Sequence, residues 1–117
     1  MSVNEHDEMI EAALQILLEE DRQMTIVFTP GGISIRFPTT RRLAEYLGIP
    51  HYYVLPRFGA MERDRLITRV ERVGISTTVA GTEHLLRLMI ENHKGRAEEI
   101  LGERVFQALQ VYAGNKE

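Results

Sequence analysis

Thr40-Arg41-Arg42-Leu43-Ala44-Glu45-Tyr46-Leu47-Gly48-Ile49-Pro50-His51-Tyr52-Tyr53-Val54-Leu55-Pro56-Arg57-Phe58 is the stretch that decides how the chain is read. Pro38, Thr39 and Thr40 open a helix, because a Thr hydroxyl at its start can accept from the free N–H groups of the first turn. Leu43 and Leu47 recur at helical spacing, so this helix is expected to run to about Leu47. Gly48 stops it, since glycine enters the left-handed region without steric cost. Pro50 suits the first position of a second helix, where its missing N–H would be unpaired anyway. Pro56 does not suit a helix interior, where it removes a hydrogen bond and clashes with the preceding turn. The segment from His51 to Phe58 is therefore expected as a helix of about one and a half turns. The alternative is a strand, because Tyr52, Tyr53 and Val54 all favour extended backbone.

Residues 40–58 resemble the helix-turn-helix superfamily at the level of the motif. In that resemblance Ala44 is the small residue where two helices cross, and Leu43 and Leu47 are the apolar residues of the first helix. Gly48 is the turn residue, Ile49 the apolar residue after it, and Val54 the buried residue of the second helix. The resemblance implies DNA binding with the second helix in the major groove. The outward positions of that helix are Pro50, His51, Tyr52, Leu55 and Pro56. None is an Arg, Lys, Asn, Gln or Glu, the residues that usually read base edges.

Upstream, Thr25–Thr29 and Ile33–Phe37 are β-rich runs about Pro30-Gly31-Gly32, and they read as a hairpin. The run from Pro30 lacks the Lys-Ser/Thr and following helix of a phosphate loop. Residues 5–22 read as an amphipathic helix, with Met9, Ile10, Ala13, Leu14, Leu17 and Leu18 on one stripe. Downstream, residues 60–73 are expected as a further helix closed by Gly74. On it Arg65, Arg69 and Arg72 would form a basic ridge at i, i+4, i+7 spacing. Ile75–Val79 is expected as a short strand. Helices are expected over 83–93 and 97–112, the latter nicked at Gly102. These last helices are apolar on more than one side, which suggests burial or packing against a second copy.

The charge is distributed unevenly. The net charge is −3, yet residues 1–23 carry seven acids against Arg22 alone, and residues 36–72 carry eight Arg against four acids. An arginine surface suits phosphate, because the planar guanidinium can donate two parallel hydrogen bonds. The competing reading is that the acidic and basic segments neutralise each other within the fold.

Several functional classes find no support. The chain has no Cys, hence no disulfide framework and no thiolate chemistry. His6, His51, His84 and His93 include no pair at the spacing of a helical zinc site. No nucleophile elbow, Walker loop or dinucleotide fingerprint occurs. His51 with Tyr52 and Tyr53 is the one cluster with proton-transfer potential, and it lacks a nearby carboxylate to orient the His. No enzyme activity, cofactor or metal is expected. The N-terminal residues do not read as a signal peptide, and no apolar run approaches the ~18 residues of a membrane span, so a cytoplasmic location is expected.

The sequence thus indicates an α+β fold in a single domain, residues 1–117. It comprises an N-terminal helix, a β-hairpin, a helix-turn-helix-like unit and a mostly helical C-terminal half. A hairpin beside such a unit suggests a winged arrangement, although here it precedes the motif where a wing would follow it. The leading expectation is a nucleic-acid-binding protein, perceived as a dimeric transcription regulator. It would use Arg41, Arg42, Arg57, Arg65, Arg69 and Arg72 on phosphates, with His51 and Tyr52 near the groove. DNA is the expected partner, with homodimerisation through the C-terminal helices. The alternatives are a protein-interaction module and, third, a small-molecule pocket near His51 and Tyr52.

Overall fold

The computed structural model describes residues 5–114, and it is α+β as the sequence indicates. Helix α1 (Asp7–Gln15) continues into a wider π-helical segment, Ile16–Asp21, that ends at Arg22 in a left-handed conformation. Strands β1 (Ile26–Thr29) and β2 (Gly32–Phe37) form the expected hairpin. Helix α2 (Thr40–Leu47) has the expected bounds. Helix α3 (His51–Arg63) follows, then β3 (Ile67–Val70), β4 (Gly74–Thr77), α4 (Val79–Asn92), α5 (Lys94–Leu101) and α6 (Glu103–Gly114).

The α2–α3 unit is built from local signals. Thr39 caps α2, its hydroxyl accepting from the Arg42 N–H at 3.2 Å. Gly48 ends the helix with φ 68°, while Ile49 N–H bonds back to the Ala44 carbonyl and Gly48 N–H to that of Glu45. This paired closure around a left-handed residue is a Schellman ending. Leu43, Ala44 and Val54 are buried.

Two expectations need correction. The segment after the turn is neither a strand nor one and a half turns of helix: α3 runs for 13 residues straight through Pro56. Pro56 leaves the Tyr52 carbonyl without its N–H partner. Both residues lie on the exposed side of α3, where water can take that place. Val54, Phe58 and Met61 bury the opposite side, and this packing holds the helix together across the proline.

The second correction concerns residues 60–73. Only the first four belong to a helix; the rest enter a β3–β4 hairpin. Arg65, in place of a glycine, occupies the left-handed position that ends α3 (φ 61°), with Leu66 N–H bonded to the Met61 carbonyl and Arg65 N–H to that of Glu62. The β3–β4 turn places Arg72 in the same region, φ 67°. β4 then pairs with β2 and β3, giving one antiparallel sheet ordered β1-β2-β4-β3. A hairpin therefore directly follows α3, in addition to the one that precedes α2.

The core lies between sheet and helices. Ile35 and Phe37 of β2 meet Leu43, Phe58, Met61, Leu85 and Met89, all buried, and the Phe37 and Phe58 rings lie 5.9 Å apart. Thr77 and Thr82 share a buried hydrogen bond of 2.7 Å, and Thr77 Oγ1 accepts from Ile35 N–H at 2.8 Å, which ties β2, β4 and α4 together. Gly81 lets α4 reach the strand: a Cβ there would stand 1.8 Å from the Leu66 carbonyl oxygen. Helix α1 is held by carboxylate–histidine contacts, Asp7 with His84 and Glu11 with His93, each at 2.6 Å.

Candidate nucleic-acid interface

Helix α3 turns one face to the core and leaves another bare. At about 100° per residue, Tyr52, Pro56, Gly59 and Arg63 form a stripe opposite Val54, Phe58 and Met61. Tyr52 is 63% exposed and Tyr53 56%, with their rings 4.6 Å apart. Leu55 is also exposed. Gly59 leaves room beside the Arg63 guanidinium: a Cβ at Gly59 would lie 3.6 Å from Nη1. From sequence Tyr53 is singled out only beside His51 and Tyr52 as a proton-transfer cluster, and Arg63 is not placed at the interface. The i, i+4, i+7, i+11 spacing from Tyr52 to Arg63 becomes visible only when the helix passes Pro56.

The sequence-derived arginines fall into two groups. Arg42, Arg57 and Arg69 face carboxylates. Arg42 meets Asp21 at 2.8 Å and Glu20 at 3.1 Å. The hydrogen bond to Asp21 and its charge, together with Glu20, raise the Arg42 pKa above its ordinary value against the opposing effect of burial. Arg57 meets Glu8 at 2.7 Å, and Arg69 meets Glu62 at 3.1 Å while lying 5.7 Å from the centre of the Phe58 ring. The acidic N-terminal segment thus does neutralise part of the basic segment, through Glu8, Glu20 and Asp21. These are exposed pairs, each worth about 1 kcal/mol or less.

Arg41, Arg65 and Arg72 have no carboxylate partner among the described residues, and all three are exposed. Arg41 stands in the first turn of α2, Arg65 at the end of α3 and Arg72 at the tip of the β3–β4 hairpin. The i, i+4, i+7 ridge of Arg65, Arg69 and Arg72 does not exist, because these residues lie on a helix ending, a strand and a turn. Non-glycine residues in the left-handed region carry a backbone cost of about 1–2 kcal/mol, and such positions concentrate at functional sites.

His51 is half-buried and turned towards α2, its Nε2 within 2.7 Å of Thr40 Oγ1. This contact links the first residues of the two helices. Tyr52 projects outward, and concavities line other parts of the surface. One, of about 410 Å³, is lined by Leu17, Asp21, Arg36, Phe37, Thr39 and Arg42.

Glu5, His6 and Asp64 bring ligand-type atoms within 4.8 Å of one another. His6 Nε2 lies 2.7 Å from Asp64 Oδ2, hydrogen-bond distance, and both carboxylates are exposed; the group reads as a contact pinning α1 to the end of α3.

Among the described residues no helix is long and apolar enough to cross a membrane. No protein-family model matches the sequence, and no curated protein or solved structure matches it either.

Proposed function

We propose that this protein binds nucleic acid, double-stranded DNA in the first instance, and acts as a small cytoplasmic regulator without catalytic activity. The observation that carries the proposal is that three of the six arginines expected at the interface, Arg41, Arg65 and Arg72, are exposed without acidic partners among the described residues, on α2, the end of α3 and the hairpin that follows. The order helix, turn, helix, hairpin supports it: the β3–β4 hairpin takes the position after the second helix where a wing belongs. Arg41, Arg65 and Arg72 hold phosphates, joined by Arg63 from the outward stripe of α3. Tyr52 and Tyr53 meet the groove. Arg42, Arg57 and Arg69, already paired with carboxylates, contribute little, and His51 positions α3 against α2.

Most contacts of this kind orient a protein on the duplex without reading sequence. The face of α3 supplies tyrosine rings, a leucine and a proline, so discrimination between sequences rests on groove shape and on apolar contact with thymine methyl groups. A homodimer would present two copies of α3 to one duplex.

A titration of a labelled mixed-sequence duplex, followed by fluorescence anisotropy at low salt, tests the reading. Binding by the native protein that is lost in Arg65→Glu/Arg72→Glu supports it. Absence of binding at low salt removes it. The second reading, a protein-interaction module, then takes its place, favoured by exposed Tyr52, Tyr53 and Leu55 on α3.

A further inference from the structure

β1 is one edge of the sheet, so one side of its backbone has no strand partner among the described residues. All of Val27, Phe28 and Thr29 are exposed, and Phe28 is 62% so. No residue from 23 to 35 is charged. Natural sheets protect an edge with charges, prolines inside the strand, bulges or a covering element, and β1 shows none of these among the described residues. The other edge, β3, carries Arg69 within it and is flanked by Arg65 and Arg72.

Beside β1 runs a mainly apolar groove of about 360 Å³, walled by Met24, Ile26, Phe28, Ile100, Leu101 and Val105, with Arg22 and Gln23 also lining it. Helix α6 extends from this groove towards the β1–β2 turn, where the Tyr112 hydroxyl comes within 3.4 Å of Ile33 N. The neutral strand, the groove and the start of α6 thus make one continuous surface.

We propose that this surface is the seam of a homodimer. Two β1 strands pair antiparallel across a two-fold axis, the two sheets become one, and each Phe28 packs over the groove side of the other copy. The occupant follows from charge and geometry. Close to the two-fold axis of such a seam a residue approaches its own copy, so a charge in the middle of the pairing strand would meet a like charge. β1 is neutral and meets that condition, whereas β3 would oppose arginine to arginine. Antiparallel strand pairing is self-complementary, since the same N–H and C=O groups serve both copies. A polyanion is a poor occupant because β1 itself carries no cation and Arg22 is, among the described residues, the one cation lining the groove. Four residues of strand are too few for the ~800 Å² per copy of a standard interface. The groove wall at Ile100, Leu101 and Val105 therefore takes part, which places the contact at β1 as well as at the C-terminal helices. This inference stands apart from the nucleic-acid reading and is tested without DNA.

The experiment is sedimentation equilibrium of the full chain alone over a concentration series reaching the millimolar range. The native protein is expected to pass from monomer to dimer mass. Phe28→Lys is expected to stay monomeric throughout, with an unchanged far-ultraviolet circular dichroism spectrum. Phe28→Thr, which keeps a β-forming residue, covers the case in which the lysine variant does not fold, and its dimer is expected to weaken at least tenfold. Because the chain has no Cys, Val27→Cys gives a single thiol at the seam. It is expected to form a disulfide-linked dimer under mild oxidation faster than Tyr52→Cys does. A native protein that stays monomeric, growth past the dimer, a dimer unaffected by the Phe28 variants, or faster cross-linking at position 52 would each overturn the proposal.

Discussion

The two edges of the sheet differ in charge and in what lies beside them. β1 is apolar, exposed and free of charge, with a groove alongside. β3 bears Arg69 and lies between two arginines held in left-handed backbone. Both edges offer unpaired backbone groups, so hydrogen-bonding capacity does not separate them. Side-chain charge does: arginines at β3 disfavour pairing with a like strand and suit the proposed phosphate contact, whereas β1 carries no charge and suits the proposed self-pairing. The acidic N-terminal helix sharpens the contrast. Its carboxylates quench Arg42 and Arg57 and reach neither Arg65 nor Arg72.

The largest expected effect comes from Gly81, which fixes the β3 edge against α4. Gly81→Ala drives a Cβ into the Leu66 carbonyl and is expected to cost about 3 kcal/mol, read from urea unfolding. Next comes Arg65→Glu/Arg72→Glu, expected to weaken duplex binding about 100-fold at low salt while leaving self-association unchanged. Phe28→Lys should do the reverse at the level of a single site, abolishing the dimer and retaining phosphate contacts. A smaller effect with two signs is expected at Arg65→Gly. Relief of the left-handed strain should raise unfolding free energy by about 0.5–1 kcal/mol, net of the entropy glycine brings to the unfolded chain. The same variant should bind duplex several-fold more weakly. Arg69→Ala is expected to change binding less than about threefold and stability by about 1 kcal/mol or less, since its charge is already partnered by Glu62.

The α2 bounds, the first hairpin and the Gly48 ending were legible in the sequence, because each rests on a local signal: a Thr cap, a Pro-Gly-Gly turn, a glycine stop. The β3–β4 hairpin was not. Ile67, Val70 and Val73 recur every third residue, as on a helix, yet Ile67 is buried and Val70 and Val73 are exposed. Its turn puts Arg72 where glycine or asparagine would have announced it. What makes this segment a strand is pairing of β4 with β2, residues about forty positions away in the chain. The same applies to Pro56, where tertiary burial of Val54, Phe58 and Met61 outweighs a local penalty. Of the residues expected at the interface, Tyr52, Arg41, Arg65 and Arg72 stand exposed without a carboxylate partner among the described residues, whereas Arg57 and Arg69 are exposed but paired. Which arginines would be quenched depended on how α1 docks, and that is not written in any local window.

The proposed phosphate grip rests on the unpaired arginines of α2, the α3 ending and the β3–β4 turn. The slope of log binding constant against log salt tests it most directly. Four phosphate contacts, from Arg41, Arg63, Arg65 and Arg72, give a slope of about −3.6, hence about 150-fold weakening as salt rises fourfold. Arg65→Glu/Arg72→Glu should flatten the slope by about 2 units. A native slope near zero, or a slope that the double variant leaves unchanged, would contradict the claim.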